Sequence, residues 1–133
     1  MTISFYVLGT PAPQGSKRHV GNGVMVESSK AVAPWRDSVA YATQKAMADS
    51  GSERLTGAVG LILTFYLARP KVAKKLVYSS KRPDVDKLQR STLDGLTTGG
   101  LWNDDAQVAS LRVDKLYVVG NEVPGCRVEA WPL

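Results

Sequence analysis

The sequence predicts an α+β fold, a single domain in which a mixed β-sheet carries two main helices. Three observations lead there. Strand-like runs recur along the chain, two segments with helical spacing fall between them, and glycine- or proline-rich turns separate each from the next. At 133 residues the chain suits one hydrophobic core and is too short for two, so residues 1–133 form one unit.

The elements follow in order. Ile3, Phe5 and Val7 alternate with Thr2, Ser4 and Tyr6, giving a half-buried strand over 2–9 that Gly9-Thr10-Pro11-Ala12-Pro13 ends. Residues 14–23 read as a loop carrying Lys17, Arg18 and His19, and Val24-Met25-Val26 as a short strand returning from Gly21-Asn22-Gly23. Trp35, Val39, Ala42 and Ala46 recur at helical spacing between Pro34 and Gly51, which predicts a helix over 34–49. Residues 58–67 are apolar and rich in β-branched and aromatic side chains, the composition of a central strand. Leu88, Leu93 and Leu96 ahead of Gly99-Gly100 predict a second helix over 86–97. The stretches 108–119 and 127–131 alternate around turn residues 120–125, which reads as a terminal hairpin. The predicted order is β-β-α-β-α-β-β.

Composition narrows the function. Seventeen Lys and Arg against twelve Asp and Glu leave a net charge of +5, which favours an anionic partner such as nucleic acid. Cys126 is the one cysteine, so an intramolecular disulfide and a multi-cysteine zinc site are excluded. The start Met1-Thr2-Ile3-Ser4-Phe5 lacks the pattern of a signal peptide, and no window approaches the ~18 apolar residues of a membrane span. A soluble, cytoplasmic protein with no membrane partner is expected.

Chemistry concentrates in two carboxylate clusters, Arg82-Pro83-Asp84-Val85-Asp86-Lys87-Leu88-Gln89-Arg90 and Trp102-Asn103-Asp104-Asp105-Ala106-Gln107. Pro83 favours extended geometry before it, so Asp84 and Asp86 are expected on one face of an extended stretch just ahead of the helix. Mg²⁺ takes oxygen ligands, typically one or two carboxylates with water and phosphate, and Asp104 or Asp105 can supply a third carboxylate once the chain reverses at Gly99-Gly100. A metal so held would activate water and neutralise charge on a phosphodiester. Arg90, four residues after Asp86, falls on the same helical face, where a guanidinium grips phosphate or orients a carboxylate.

Lys17, Arg18, Arg69, Lys71, Lys74, Lys75, Lys81, Arg82 and Lys87 are the candidate DNA contacts, and 69–82 contains no acidic residue. Each signal also has an ordinary reading. Asp before a helix caps it, Asn103-Asp104-Asp105 makes a polar turn, a basic stretch is a solvated loop, and Asp94 pairs with Arg90 along the helix. Trp35 and Trp102 read as core anchors.

Taken together, Arg82-Pro83-Asp84-Val85-Asp86-Lys87-Leu88, Arg90, Leu93-Asp94-Gly95-Leu96 and Asp104-Asp105-Ala106-Gln107-Val108 resemble the RusA family of Holliday junction resolvases, the crossover junction endodeoxyribonucleases. The opening from Leu8 to Arg18 is similar to that family's glycine, proline and basic loop. The resemblance implies a RusA-like fold with Asp84, Asp86 and Asp105 as essential metal-binding carboxylates and Asp104 as their close neighbour. It implies Mg²⁺, with Mn²⁺ as a substitute, and a homodimer nicking four-way DNA junctions symmetrically in recombination and repair, often encoded by phage or prophage. Two positions depart from the pattern: Lys87 stands where the family has Asn, and Arg90 where it has a catalytic Lys. A branched-DNA-binding protein that does not cut, and a broader Mg²⁺-dependent flap or fork nuclease, are the competing readings.

Overall fold

The structure, a computed structural model, describes residues 1–15, 17–19, 25–27, 30–73 and 75–133, and for 17–19 and 25–27 the backbone alone. Among the described residues the strands and α-helices are β1 (Ile3–Leu8), β2 (Lys17–His19), β3 (Met25–Glu27), α1 (Val32–Ser50), β4 (Val59–Leu67), α2 (Val85–Gly99), β5 (Val108–Tyr117) and β6 (Gly125–Pro132). A mixed four-stranded sheet in the order β1-β6-β4-β5 carries both helices, and β2 pairs with β3 as a separate ribbon. The α+β class is as expected.

Two expectations are corrected. Residues 17–19 form a strand paired antiparallel with β3, with Arg18 opposite Val26, where a loop was predicted. A three-residue basic strand has no apolar alternation to reveal it. The terminal hairpin does not form either: β6 lies between β1 and β4, antiparallel to both, while β5 runs parallel to β4 at the edge. Burial explains the choice. Cys126, Val128 and Ala130 of β6 are fully buried and need a central position, whereas 109–112 of β5 are exposed and tolerate an edge. The parallel β4–β5 pair requires a long crossover, and α2 supplies it.

The core lies between sheet and helices, with Val59, Leu61, Leu63 and Phe65 of β4 facing it together with Trp35, Val39, Leu88 and Leu96 of α1 and α2. Trp35 and Trp102 are buried anchors whose indole N–H groups donate to Thr92 Oγ1 at 3.1 Å and Thr97 Oγ1 at 2.7 Å. The helices touch through Gly95 and Gly99, where an added Cβ would come within 2.6 Å of Val39 Cβ and 2.5 Å of Thr43 Cβ. Gly100 then closes α2 in the left-handed region, φ 89°, with its N–H bonding back to Leu96 and Thr97 carbonyls. Among the described residues no helix is long and apolar enough to cross a membrane.

Candidate active site at the start of α2

Asp84 is the N-cap residue of α2, extended at φ −70° and ψ 141°, yet its side chain makes no capping hydrogen bond. The ordinary role for an aspartate here is therefore not the one it plays. Asp86 sits in the first helical turn, not in an extended stretch as expected, because the helix already begins at Val85. Both carboxylates are exposed, at the helix end where the backbone dipole stabilises negative charge. Lys87 Nζ stands 3.9 Å from Asp84 Oδ2.

A cleft of about 520 Å³ opens beside Asp84, lined by Pro11, Pro13, Gln14, Arg82, Asp84 and Lys87 among others. Its far wall is the loop after β1, tied to α2 by Gln14 N–H donating to Lys87 O at 2.9 Å and Ser91 Oγ donating to Ala12 O at 2.6 Å. Arg36 of α1 braces that wall: its Nη2 donates to Gln14 Oε1 at 2.9 Å, and its Nε lies 3.9 Å from Asp94. Asp94 thus pairs across the helix–helix contact and not with Arg90, as the helical spacing suggested. Arg90 is exposed and has no hydrogen-bond or ionic partner among the described residues.

The approach to Asp84 is held from the sheet. Residues 77–79 run along the end of β5, with Tyr117 N–H donating to Val77 O at 2.9 Å and Ser79 N–H donating to Lys115 O at 3.0 Å. Lys115 Nζ then donates to Lys81 O at 2.7 Å and Pro83 O at 2.8 Å. The Arg82-Pro83 peptide between them is cis.

The second carboxylate cluster lies elsewhere in the same chain. Asp104 caps the short 3-10 turn Asp105–Gln107, accepting from Ala106 N–H at 2.8 Å, while Gln107 Oε1 accepts from the N–H groups of Asn103 and Asp104. Its carboxylate has a structural task, the polar-turn reading. Asp105 is exposed, and its carboxyl is held above its ordinary value by partial burial, by the charges of Asp104 and Asp94, and by a hydrogen bond with Asp104. Among the described residues no three His, Cys, Asp or Glu side chains stand together so as to hold a metal ion. Asp84 and Asp86 both stand at the head of α2, and with Asp105 they form no such group.

The candidate DNA contacts divide. Lys71, Lys75, Lys81 and Arg82 are exposed, whereas Arg69 is engaged internally, donating from Nε to Val118 O at 3.1 Å and from Nη1 to Leu76 O at 2.7 Å, with its guanidinium 5.5 Å from the Tyr117 ring centroid. Lys74 and the side chains of Lys17 and Arg18 lie outside the described residues.

The sequence of this chain matches the family described as endodeoxyribonuclease RusA over residues 9–129, nearly the whole fold and both carboxylate clusters. The chain belongs to the RusA endodeoxyribonuclease family. Over 117 residues it is 31% identical to a crossover junction endodeoxyribonuclease RusA of Escherichia coli K12, covering 87% of each protein. Over a shorter stretch of 38 residues it is 50% identical to the crossover junction endodeoxyribonuclease of Enterobacteria phage 82, 29% of this chain and 32% of that one. A protein of the same name from Shigella sonnei matches at 50% over 38 residues.

Within the RusA fold seen here, sequence reasoning missed Gln14, Arg36 and Lys115, which shape the cleft through bonds to backbone or to each other. Gln107 was visible in principle, since Asp104 and Gln107 have capping-box spacing. Lys115 carried a fainter signal: it breaks the apolar alternation of Val113 and Tyr117 on the core-facing side of β5.

Proposed function

We propose that this protein is a metal-dependent nuclease that resolves four-way DNA junctions as a homodimer, acting in recombination and repair. The observation that carries the reading is Asp84: an N-cap carboxylate that does not cap, exposed two residues before Asp86 in a cleft walled by Arg82 and Lys87. Carboxylate oxygens on a hard, solvent-open site fit Mg²⁺ or Mn²⁺, with Asp84 and Asp86 as first ligands. When bound, such an ion lowers the pKa of an attacking water and neutralises charge on the departing oxygen.

The chain's own groups do the rest. Arg82 and Lys87 flank the cleft and hold the phosphate backbone, with Lys71, Lys75 and Lys81 extending the basic track. Arg90 is on the exposed face of α2 with its guanidinium free to grip a phosphate oxygen. It remains charged throughout and moves no proton.

The third carboxylate is supplied by a second copy. Asp105 precedes the start of β5, while Lys115 near the other end of β5 holds the residues leading into Asp84. Residues 109–112 of this edge strand are exposed while 115–117 are already bonded to 77–79, so antiparallel self-pairing about a two-fold axis would engage 109–112 and bring the start of one strand up to the mate's 77–79 segment, which leads on to Asp84. Asp105 of one copy then approaches Asp84 and Asp86 of its mate, and the dimer gains two such sites, one for each nick.

Incubation with a labelled four-way junction and a matching linear duplex, with Mg²⁺ or chelator, tests the reading. Paired nicks on the junction, lost with chelator, are expected. Binding without nicks would reassign the protein as a structure-selective DNA binder, and equal cutting of flaps, forks and duplex would make it a broader nuclease.

A further inference from the structure

We infer that Lys115 is a positioning residue for the Asp84–Asp86 carboxylate pair, acting through the backbone that delivers Asp84 to the head of α2. The inference rests on the metal-site reading above.

Lys115 occupies the sheet face that Val113 and Tyr117 turn to the core. A lysine at such a position has its aliphatic stem packed and its ammonium carried to the edge. It reaches Lys81 O and Pro83 O at 2.7 and 2.8 Å, two carbonyls of one short segment that lie on either side of the Arg82-Pro83 peptide. Pro83 has no N–H, so this stretch has fewer ladder bonds to fix it, and the ammonium takes that part. Two of its three donors are so used.

The placement also runs against electrostatic convenience. A cation near the head of a helix is repelled by the backbone dipole, and an apolar side chain would better complete the face. Local rules broken in this way mark a functional demand. Here the demand is geometric: Asp84 follows Pro83 directly, and the angle at which it leaves the clamp sets where its carboxylate meets that of Asp86. The clamp sits outside the carboxylate pair and orients it, as the supporting shell of a metal site does.

The variants Lys115→Met, which keeps the stem and loses the donors, and Lys115→Gln, which keeps a donor, separate this role from packing. Three quantities are read: Mn²⁺-induced broadening of the Asp84 and Asp86 backbone amides, hydrogen exchange of residues 82–86, and junction nicking. In Lys115→Met the Mn²⁺ midpoint should rise by about tenfold or more and exchange at 82–86 should quicken, while β5 amides stay protected and junction binding in chelator is unchanged. Lys115→Gln should recover part of the midpoint and, keeping a donor for the Lys81 and Pro83 carbonyls, covers the case in which Lys115→Met fails to fold. An unchanged Mn²⁺ midpoint with unchanged exchange overturns the inference, as does a loss of junction binding equal to the loss of nicking, which would make Lys115 a phosphate contact. A wild-type protein that binds no Mn²⁺ at Asp84 and Asp86 overturns the metal-site reading itself, a result distinct from either.

Discussion

Lys87 Nζ lies 3.9 Å from Asp84 Oδ2, one turn into α2, with both side chains about half exposed (45% and 53%). The pair contributes little to stability at such exposure, but it sets a fixed cation against a carboxylate assigned to a metal. Lys87→Asn should lower the Mg²⁺ or Mn²⁺ half-saturation for nicking by a few-fold, in line with the modest strength of an exposed pair. It should also weaken junction binding, with a shallower salt dependence, because one phosphate contact goes. Titrating wild type and Lys87→Asn with metal and with salt checks both effects; a metal requirement that does not move would show that Lys87 does not compete at Asp84.

Asp84→Asn and Asp86→Asn keep shape and remove charge. Each should reduce single-turnover nicking by about a hundredfold or more, with junction binding unchanged or stronger as repulsion from phosphate is relieved. Gel-shift titration in chelator, beside cleavage with Mg²⁺, reads both. Wild-type cutting by either variant would remove that residue from the site.

Asp104 and Asp105 are adjacent and should behave in opposite ways. Asp104→Ala removes the cap on Ala106 N–H and should cost about 1 kcal/mol, seen as a lower urea midpoint, with nicking reduced less than in Asp105→Asn. Asp105→Asn should abolish nicking and stabilise the fold. A raised carboxyl pKa means that the folded chain binds the proton more tightly than the unfolded chain. Stability is therefore lost as pH rises from the ordinary 3.8 through the raised value. The stability gap between Asp105→Asn and wild type should be absent in acid below the ordinary 3.8, open as pH climbs from there through the raised value, and persist at neutrality. Urea melts across pH 3 to 7 would read it.

Gly95→Ala and Gly99→Ala push a methyl group into Val39 and Thr43. Overpacking of this kind costs about 1–3 kcal/mol, so both should lower the denaturation midpoint. Pairing Gly95→Ala with Val39→Ala should restore part of the loss, and strict additivity would show that the two residues do not share the contact.

What the sequence made legible was local. The spacing of Leu88, Leu93 and Leu96 and the Gly99-Gly100 stop placed α2, and the two carboxylate clusters are short runs of sequence, because these depend on neighbours within a few residues. Strand order was not legible: β5 and β6 each carry a strand pattern, and nothing within either says that β4 comes between them. Asp84 and Asp86 were legible because they are two residues apart, while the absence of Asp105 from a shared group depends on the long-range path of the chain after α2. Lys115 was missed for the same reason, since it acts on carbonyls more than thirty residues earlier in the chain.

The central position of β6 also dictates how the protein can be made. β1 and β4 have no pairing with each other, and the strand that joins them, Gly125–Pro132, is synthesised after both. On the ribosome the earlier strands must wait with their apolar faces unmatched, shielded by whatever helical packing α1 and α2 already provide. Sheet closure is then a late, long-range event in which Ile3 meets Ala130, and refolding should be slow for so small a domain.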